Sequence, residues 1–242
     1  MAQISPILQL GNCPIISLLV GPTRTTFHVH LKPICDASPF FECTLRGGKC
    51  RDAPGASIEL WEDDVETVDR FVSWIYSGRF ALSTFSTEEN THKRFHELAQ
   101  LNIFAKKYTI TALANDIIDR LWDPWDLYFK NLLSSRNIFC PRISLVRHVY
   151  ETTSPKSAFR RLLVDWYTWE IPLKWFDDER TREELGDVSQ DFAVDLAVAL
   201  ARRMADPDRQ SPFALQKKEY YGDLEEESED DEAVDLTSCR GD

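Results

Sequence analysis

The 242-residue sequence lacks the long apolar runs, paired cysteines and basic leader that mark several classes of protein. No run of 18 apolar residues occurs, so the sequence predicts no transmembrane helix and no membrane partner. No basic region precedes the first apolar residues, which argues against a secretory signal. The six cysteines include no CxxC pair, and several lie within apolar or helical patterns. This usage favours reduced thiols in the cytoplasm or nucleus over a disulfide framework.

Common catalytic signatures are also missing. The sequence contains no GxSxG, no phosphate-binding glycine loop and no HExxH. His28 and His30 are two residues apart on a predicted strand, and His92 and His96 are four apart on a predicted helix. No Cys or carboxylate with metal-ligand spacing joins the strand pair, and no catalytic Glu accompanies the helix pair. We therefore predict a protein without catalytic residues, without a cofactor and without a metal site.

Negative charge is concentrated in one stretch of the chain. The net charge is −12, and residues 223–242 contain ten acidic residues and one Arg, or −9. Residues 1–222 therefore carry only −3. Without a basic groove, no nucleic-acid partner is expected. Residues 206–242 lose apolar periodicity and become acidic, so they are predicted to be a disordered acidic tail.

The first half of the chain combines strand alternation with short helical patterns. An apolar run closed by Gly21 and Pro22 predicts a buried strand, and residues 21–24 predict a hairpin turn. Pro39 disfavours helical geometry at Ser38, so a first short helix should end there. The predicted elements are strands at residues 14–20, 25–29 and 57–61 and short helices at residues 31–36 and 40–45.

Three longer helices are predicted next. Asp63 and Glu66 form a capping-box pattern at the start of the first, and Gly78 ends it. Thr111 can cap the third helix. The apolar stripe of the second helix contains Phe95, Leu98, Ala99, Leu101, Ala105 and Tyr108, and that of the third contains Leu113, Ile117 and Leu121. Strands followed by helices predict an α+β fold for residues 13–121.

Beyond a Trp-Asp-Pro-Trp boundary at residues 122–125 the pattern is helical only. One helix is predicted to have Ser154 as its N-cap and Pro155 at its first position, with a buried stripe that includes Trp166 and Trp169. The remaining helices are predicted at residues 127–133, at 141–150 and at 189–204, the last with Phe192, Leu196, Ala199 and Leu200 facing inward. The predicted organisation is a lead at 1–12, an α+β domain at 13–121, an all-helical extension at 122–205 and the tail.

Five short motifs occur in an order that resembles the BTB/POZ domain, and they cover about residues 13–121. The segments Leu-Leu-Val-Gly-Pro and Trp-Ile-Tyr-Ser-Gly are similar to the corresponding segments of fungal members in particular. The resemblance implies a small sheet packed on helical hairpins, no active site, homodimer formation and, in many members, binding to a cullin. The motifs are Val20-Gly21, Phe27-His28-Val29-His30, Ser38-Pro39-Phe40-Phe41, Ile58-Glu59-Leu60 with Glu62-Asp63-Asp64, and Trp74-Ile75-Tyr76-Ser77-Gly78.

Two binding sites are expected, one from the BTB/POZ resemblance and one from a separate motif in the tail. Cullin-binding members carry a hydrophobic-x-Glu element before the third strand, and the nearest match here is Cys50-Arg51-Asp52. In the tail, Val234-Asp235-Leu236-Thr237 beside acidic residues resembles a SUMO-interacting motif, which binds by strand addition. We expect a non-enzymatic interaction protein that self-associates, recruits partner proteins or does both. Substrate adaptor of a cullin-based ubiquitin ligase is one role that the resemblance implies; the alternative is a transcription-related or scaffolding protein that binds no cullin.

Overall fold

The computed structural model describes residues 13–47, 56–83, 88–122, 141–169 and 179–206, together with Asp208, Ser211, Tyr220 and Tyr221. Over these residues the protein is α+β, with one three-stranded sheet and nine helices. It forms two compact units. The described part of the first unit is residues 13–47, 56–82 and 104–113, and the other described residues form the second. Within the described residues no helix has the length and apolarity needed to cross a membrane.

The sheet of the first unit is mixed. Its strands are β1 (Ile15–Val20), β2 (Thr25–His30) and β3 (Ser57–Leu60), in the order β2-β1-β3. β1 pairs antiparallel with β2 and parallel with β3. Gly21 and Arg24 both have positive φ, 65° and 52°, and the Arg24 N–H donates to the Gly21 carbonyl at 3.0 Å. The three predicted strands and the hairpin turn are confirmed.

The two faces of this sheet differ in polarity. The inner face packs on two helices, α1 (Leu31–Ala37) and α3 (Val65–Ser77), which both contact β2. Along each strand, residues of the outer face alternate with residues of the inner face, because successive side chains point to opposite sides of the sheet. The buried inner residues are Ile16, Leu18, Val20, Val29 and Leu60, whereas Ile15, His28, Ser57 and Glu59 are exposed on the outer face.

Ser38 and Pro39 separate α1 from α2 (Pro39–Gly47). Ser38 has extended backbone geometry, and its hydroxyl donates to the Tyr108 carbonyl at 2.5 Å and accepts from the Phe41 N–H at 3.2 Å. The Phe41 ring is stacked between Phe71 and Tyr108, with centroid distances of 5.9 and 5.1 Å. The predicted helix break before buried aromatics is confirmed.

The predicted N-cap of α3 is wrong by one residue. Asp64 is the N-cap, and its carboxylate accepts from the Thr67 N–H at 2.9 Å. Asp63 is unavailable because it accepts from the Tyr108 hydroxyl at 2.5 Å and pairs with Lys107 at 3.2 Å. Gly78 ends the helix with φ of 65°, as the sequence predicts.

The second unit is helical where it is described. Residues 88–103 of α4 (Glu88–Lys107) and 114–122 of α5 (Thr111–Trp122) belong to it. Aromatic contacts form its core, with Trp166 edge-on to Phe95 at 5.4 Å and Phe192 against Tyr150 and Tyr167. Its remaining helices are α6 (Ile143–Thr152), α7 (Ala158–Trp169), α8 (Glu179–Gly186) and α9 (Gln190–Ala205).

Several expectations for the second unit are wrong in detail. α7 begins at Ala158, and Pro155 lies in a turn closed by the Ser157 N–H donating to the Ser154 carbonyl at 3.0 Å. Trp169 is half-buried. α9 is capped by Ser189 as expected, but it buries Phe192 and Leu196 only. Leu200 is exposed and Ala199 is half-buried.

The remaining sequence predictions concern α8, the tail, the helix at residues 127–133 and the domain boundary. Apolar periodicity does not reveal α8, whose eight residues contain a single Leu. Tyr220, from the segment predicted to be disordered, is 3% exposed. The predicted helix at 127–133 lies outside the described residues, and the domain boundary at 121–122 stays a prediction.

Candidate interaction surface

A cluster on the outer face of the sheet, which we call the sheet platform, consists of Arg24, Glu59 and Trp61. Arg24 Nη2 donates to Glu59 Oε1 at 2.8 Å, and Trp61 Nε1 donates to Glu59 Oε2 at 2.9 Å. The Arg24 guanidinium lies 5.1 Å from the centre of the Trp61 ring, at cation–π distance. One carboxylate therefore holds both the indole and the guanidinium in place.

The platform exposes one large apolar side chain, because Trp61 is 48% exposed. Trp and Arg are the residue types that most often carry binding energy at protein interfaces. Because Glu59 orients both side chains before any partner arrives, little rotamer entropy would be lost on binding. These properties suit a protein-binding surface.

The segment that follows Trp61 is anchored within the first unit. Asp63 is largely buried and binds Tyr108 and Lys107, whose ammonium also reaches Glu62 at 3.3 Å. Burial and the hydrogen bond to Asp63 raise the pKa of Tyr108 far above its ordinary range. Tyr108 is therefore a hydrogen-bond donor at every physiological pH, and the anchor stays intact.

The histidines of the strand-to-helix junction have separate partners. The His30 backbone N–H donates to the Tyr76 hydroxyl at 2.9 Å, and His30 Nδ1 lies 2.9 Å from the same oxygen. His28 Nδ1 lies 3.2 Å from the Ser17 hydroxyl on β1. His30 thus ties the end of β2 to α3, while His28 lies on the outer face.

Histidines also meet in the second unit. The rings of His96 on α4 and His148 on α6 are 6.3 Å apart, and Gln100 Nε2 lies 3.0 Å from His148 Nε2. Burial lowers the pKa of His96, and nearby His148, His92 and Arg142 lower it further. Among the described residues, no three His, Cys, Asp or Glu side chains are arranged to hold a metal ion.

Neither of the two expected binding sites falls in the described part of the chain. The cullin-contact loop (Cys50, Arg51 and Asp52) and the SUMO-interacting motif (Val234, Asp235, Leu236 and Thr237) both lie outside it. Sequence reasoning missed the sheet platform, although a signal for it was present. Alternation over β3 puts Glu59 and Trp61 on the face opposite Leu60, and an exposed Trp there is the clue.

Compared with known proteins, the chain matches no family model and no curated protein. The arguments for its function therefore rest on its own residues. The sheet platform is the surface that they single out in the first unit.

Proposed function

We propose that this chain is a non-enzymatic protein–protein interaction protein of the BTB/POZ type. The observation that carries the proposal is the sheet platform, where Glu59 holds Trp61 half-exposed on a well-packed sheet. A mixed sheet with one face packed on α1 and α3 is compatible with the fold that the motif order implies. The interaction would be self-association, recruitment of a partner protein, or both.

The chemistry of the platform defines how it would bind. The Trp61 ring supplies apolar area, and the Arg24–Glu59 pair supplies one donor and one acceptor group at its edge. A partner that covers the ring removes it from water and gains about 25 cal/mol for each Å² of apolar area buried. Such a partner would present an apolar or aromatic residue flanked by polar groups.

The proposed cellular role is that of a substrate adaptor for a cullin-based ubiquitin ligase, in the cytoplasm or nucleus. Cys50, Arg51 and Asp52 would contact the cullin, and Val234–Thr237 would bind SUMO by strand addition. The absence of a CxxC pair from the sequence fits a reducing compartment. The alternative is a scaffolding or transcription-related protein that binds no cullin.

The platform is tested by Trp61→Ala, with Met204→Ala as the matched control. Met204 is an 81% exposed apolar residue of α9, outside the platform. Light scattering at micromolar concentration and affinity capture followed by mass spectrometry measure self-association and partner recovery. We expect Trp61→Ala to lose one or both and Met204→Ala to keep them. If Trp61→Ala leaves both unchanged, the platform is not the binding surface.

The adaptor role needs a separate experiment. Asp52→Ala and a scrambled sequence at residues 50–52 should abolish co-purification with a fungal cullin, whereas Asp69→Ala on α3 should leave it intact. Failure of the wild-type chain to recover a cullin at all would favour the scaffolding alternative. Recovery that survives both loop changes would remove Cys50–Asp52 from the contact.

A further inference from the structure

A groove of about 350 Å³ lies between α7 and α9 of the second unit. Its walls contain three arginines, Arg160 and Arg161 from α7 and Arg202 from α9. Arg203 is adjacent, with its guanidinium 4.5 Å from the centre of the Trp169 ring that lines the same groove. The groove also contains two carboxylates, so its chemistry depends on which charges are already engaged.

Arg160 is a buried charge without a carboxylate partner. It is 5% exposed, its Nε donates to the Thr153 hydroxyl at 3.0 Å, and Nη2 donates to the Tyr150 carbonyl at 2.6 Å. Nη2 also contacts the Thr153 carbonyl, and the guanidinium lies 4.4 Å from the centre of the Tyr150 ring. All of these partners are uncharged. Buried charges are ordinarily paired with an opposite charge. An anion in the groove would supply the negative charge that no described residue provides for Arg160.

Each of the two carboxylates of the groove accepts a hydrogen bond from a tyrosine hydroxyl. Asp195 accepts from the Tyr150 hydroxyl at 2.8 Å, and Asp165 accepts from the Tyr220 hydroxyl at 2.6 Å. Arg161 and Arg202 are exposed, and in the described part of the chain neither forms an ion pair or a side-chain hydrogen bond. The groove therefore presents two unpaired guanidinium groups at its rim and one buried guanidinium in its wall.

Tyr220 brings the acidic part of the same chain to this groove. Its ring is 3% exposed, and its hydroxyl binds Asp165, which lines the groove one helical turn from Arg161. Seven of the eight residues at 225–232 are Asp or Glu. Glu225 is five residues beyond Tyr220, and an extended chain spans about 3.3–3.6 Å per residue, or about 17 Å here. The acidic run therefore begins a short length of chain from the Tyr220–Asp165 contact.

We propose that the acidic segment at residues 225–232 docks in the α7–α9 groove of its own chain. Its carboxylates pair with Arg161 and Arg202, and the Tyr220–Asp165 hydrogen bond tethers it beside them. Paired Arg–carboxylate hydrogen bonds are short and bidentate, and the tether raises the local concentration of the segment to the millimolar range.

The test uses the full chain and a fluorescently labelled peptide of residues 222–237, followed by anisotropy at low ionic strength. In one variant, the seven acidic residues at 225–232 are replaced by Gln or Asn. This neutral-tail chain should bind the peptide roughly tenfold or more tightly than wild type, because no internal segment competes. Adding Arg161→Glu and Arg202→Glu should abolish that binding. Adding Arg79→Glu, at an exposed arginine of the first unit, should not.

Two further measurements keep the result interpretable. The milder pair Arg161→Gln and Arg202→Gln should weaken binding in the same background without adding negative charge, and circular dichroism should show unchanged helix content. Equal peptide affinity for the wild-type and neutral-tail chains would overturn the proposal, because the internal segment would then not occupy the groove. Equal affinity for the groove variants and the Arg79→Glu control would overturn it too.

Discussion

The first unit presents its binding groups on a sheet, whereas the second presents them along two helices. On the sheet, one buried face holds the strands, and Glu59 then orients Arg24 and Trp61 on the other face. On the helices, α9 buries only Phe192 and Leu196, so most of its surface stays open. The platform is a rigid mixed surface of apolar and paired groups. The α7–α9 groove is a charged surface with unpaired arginines.

In both units, the local packing pattern determines which chemical groups the surface presents. A sheet face that is covered on one side leaves alternating residues on the other, and these can be paired with one another across strands. A helix packed along a narrow stripe leaves long cationic side chains without partners. The first arrangement favours an apolar partner, and the second favours an acidic one.

The largest effect is expected from removing the aromatic centre of one unit. Phe41→Ala should lower the free energy of unfolding by about 3–5 kcal/mol, because the ring is fully buried between Phe71 and Tyr108. Hydrogen exchange should show the loss of protection in the first unit. Phe192→Ala is the matched change in the second unit. If both variants lose protection equally over the whole chain, the two units do not behave separately.

A smaller effect is expected from the corrected helix cap. Asp64→Ala should destabilise the protein by about 1 kcal/mol, because the Thr67 N–H loses its acceptor. Asp69→Ala, an exposed acidic residue of the same helix, should change the urea midpoint little. A larger loss with Glu66→Ala than with Asp64→Ala would contradict the assignment of the cap.

The His96 cluster of the second unit predicts a dependence on pH. Because burial lowers the pKa of His96 in the folded state, the unfolded chain binds more protons below about pH 6.5. Stability is therefore present above that pH and is lost as the pH falls toward the lower folded-state pKa. His96→Gln should flatten this slope in urea titrations. An unchanged slope in His96→Gln would refute the assignment.

The smallest effect on stability is expected at the platform itself. Arg24→Ala removes an exposed ion pair, which contributes about 0–1 kcal/mol, so the urea midpoint should hardly move. Partner binding should nevertheless weaken because Trp61 loses the guanidinium beside it. Lys32→Ala, which removes another exposed ion pair of the first unit, is the control. Equal binding by the two variants would mean that the Arg24 guanidinium does not contribute to binding.

The accuracy of the sequence predictions differs between the two units for a physical reason. Strand alternation, the hairpin at Gly21, the break at Pro39 and the stop at Gly78 are properties of a few neighbouring residues, and all are found. The start of α7 was mistaken because Ser154-Pro155 has the composition of an N-terminus but lies in a turn. The Phe159 backbone N–H instead donates to the Ser157 hydroxyl at 3.2 Å.

The candidate sites were less predictable than the fold. The sheet platform joins Arg24 to Glu59, which are 35 residues apart, and the groove joins α7 to α9. Periodicity can place a residue on a face, but it cannot say which faces meet. Trp169 and Leu200 were expected in the core for this reason, although one is half-buried and the other exposed.

By itself, the sequence determined the α+β class, most helix and strand positions in the first unit and the concentration of net negative charge in one segment. These follow from local backbone preferences and from composition, which need no knowledge of distant residues. Only the tertiary structure decided that Asp63 binds Tyr108 while Asp64 caps α3. It also decided that Arg161 and Arg202 share one groove, because pairing and burial depend on which elements pack together.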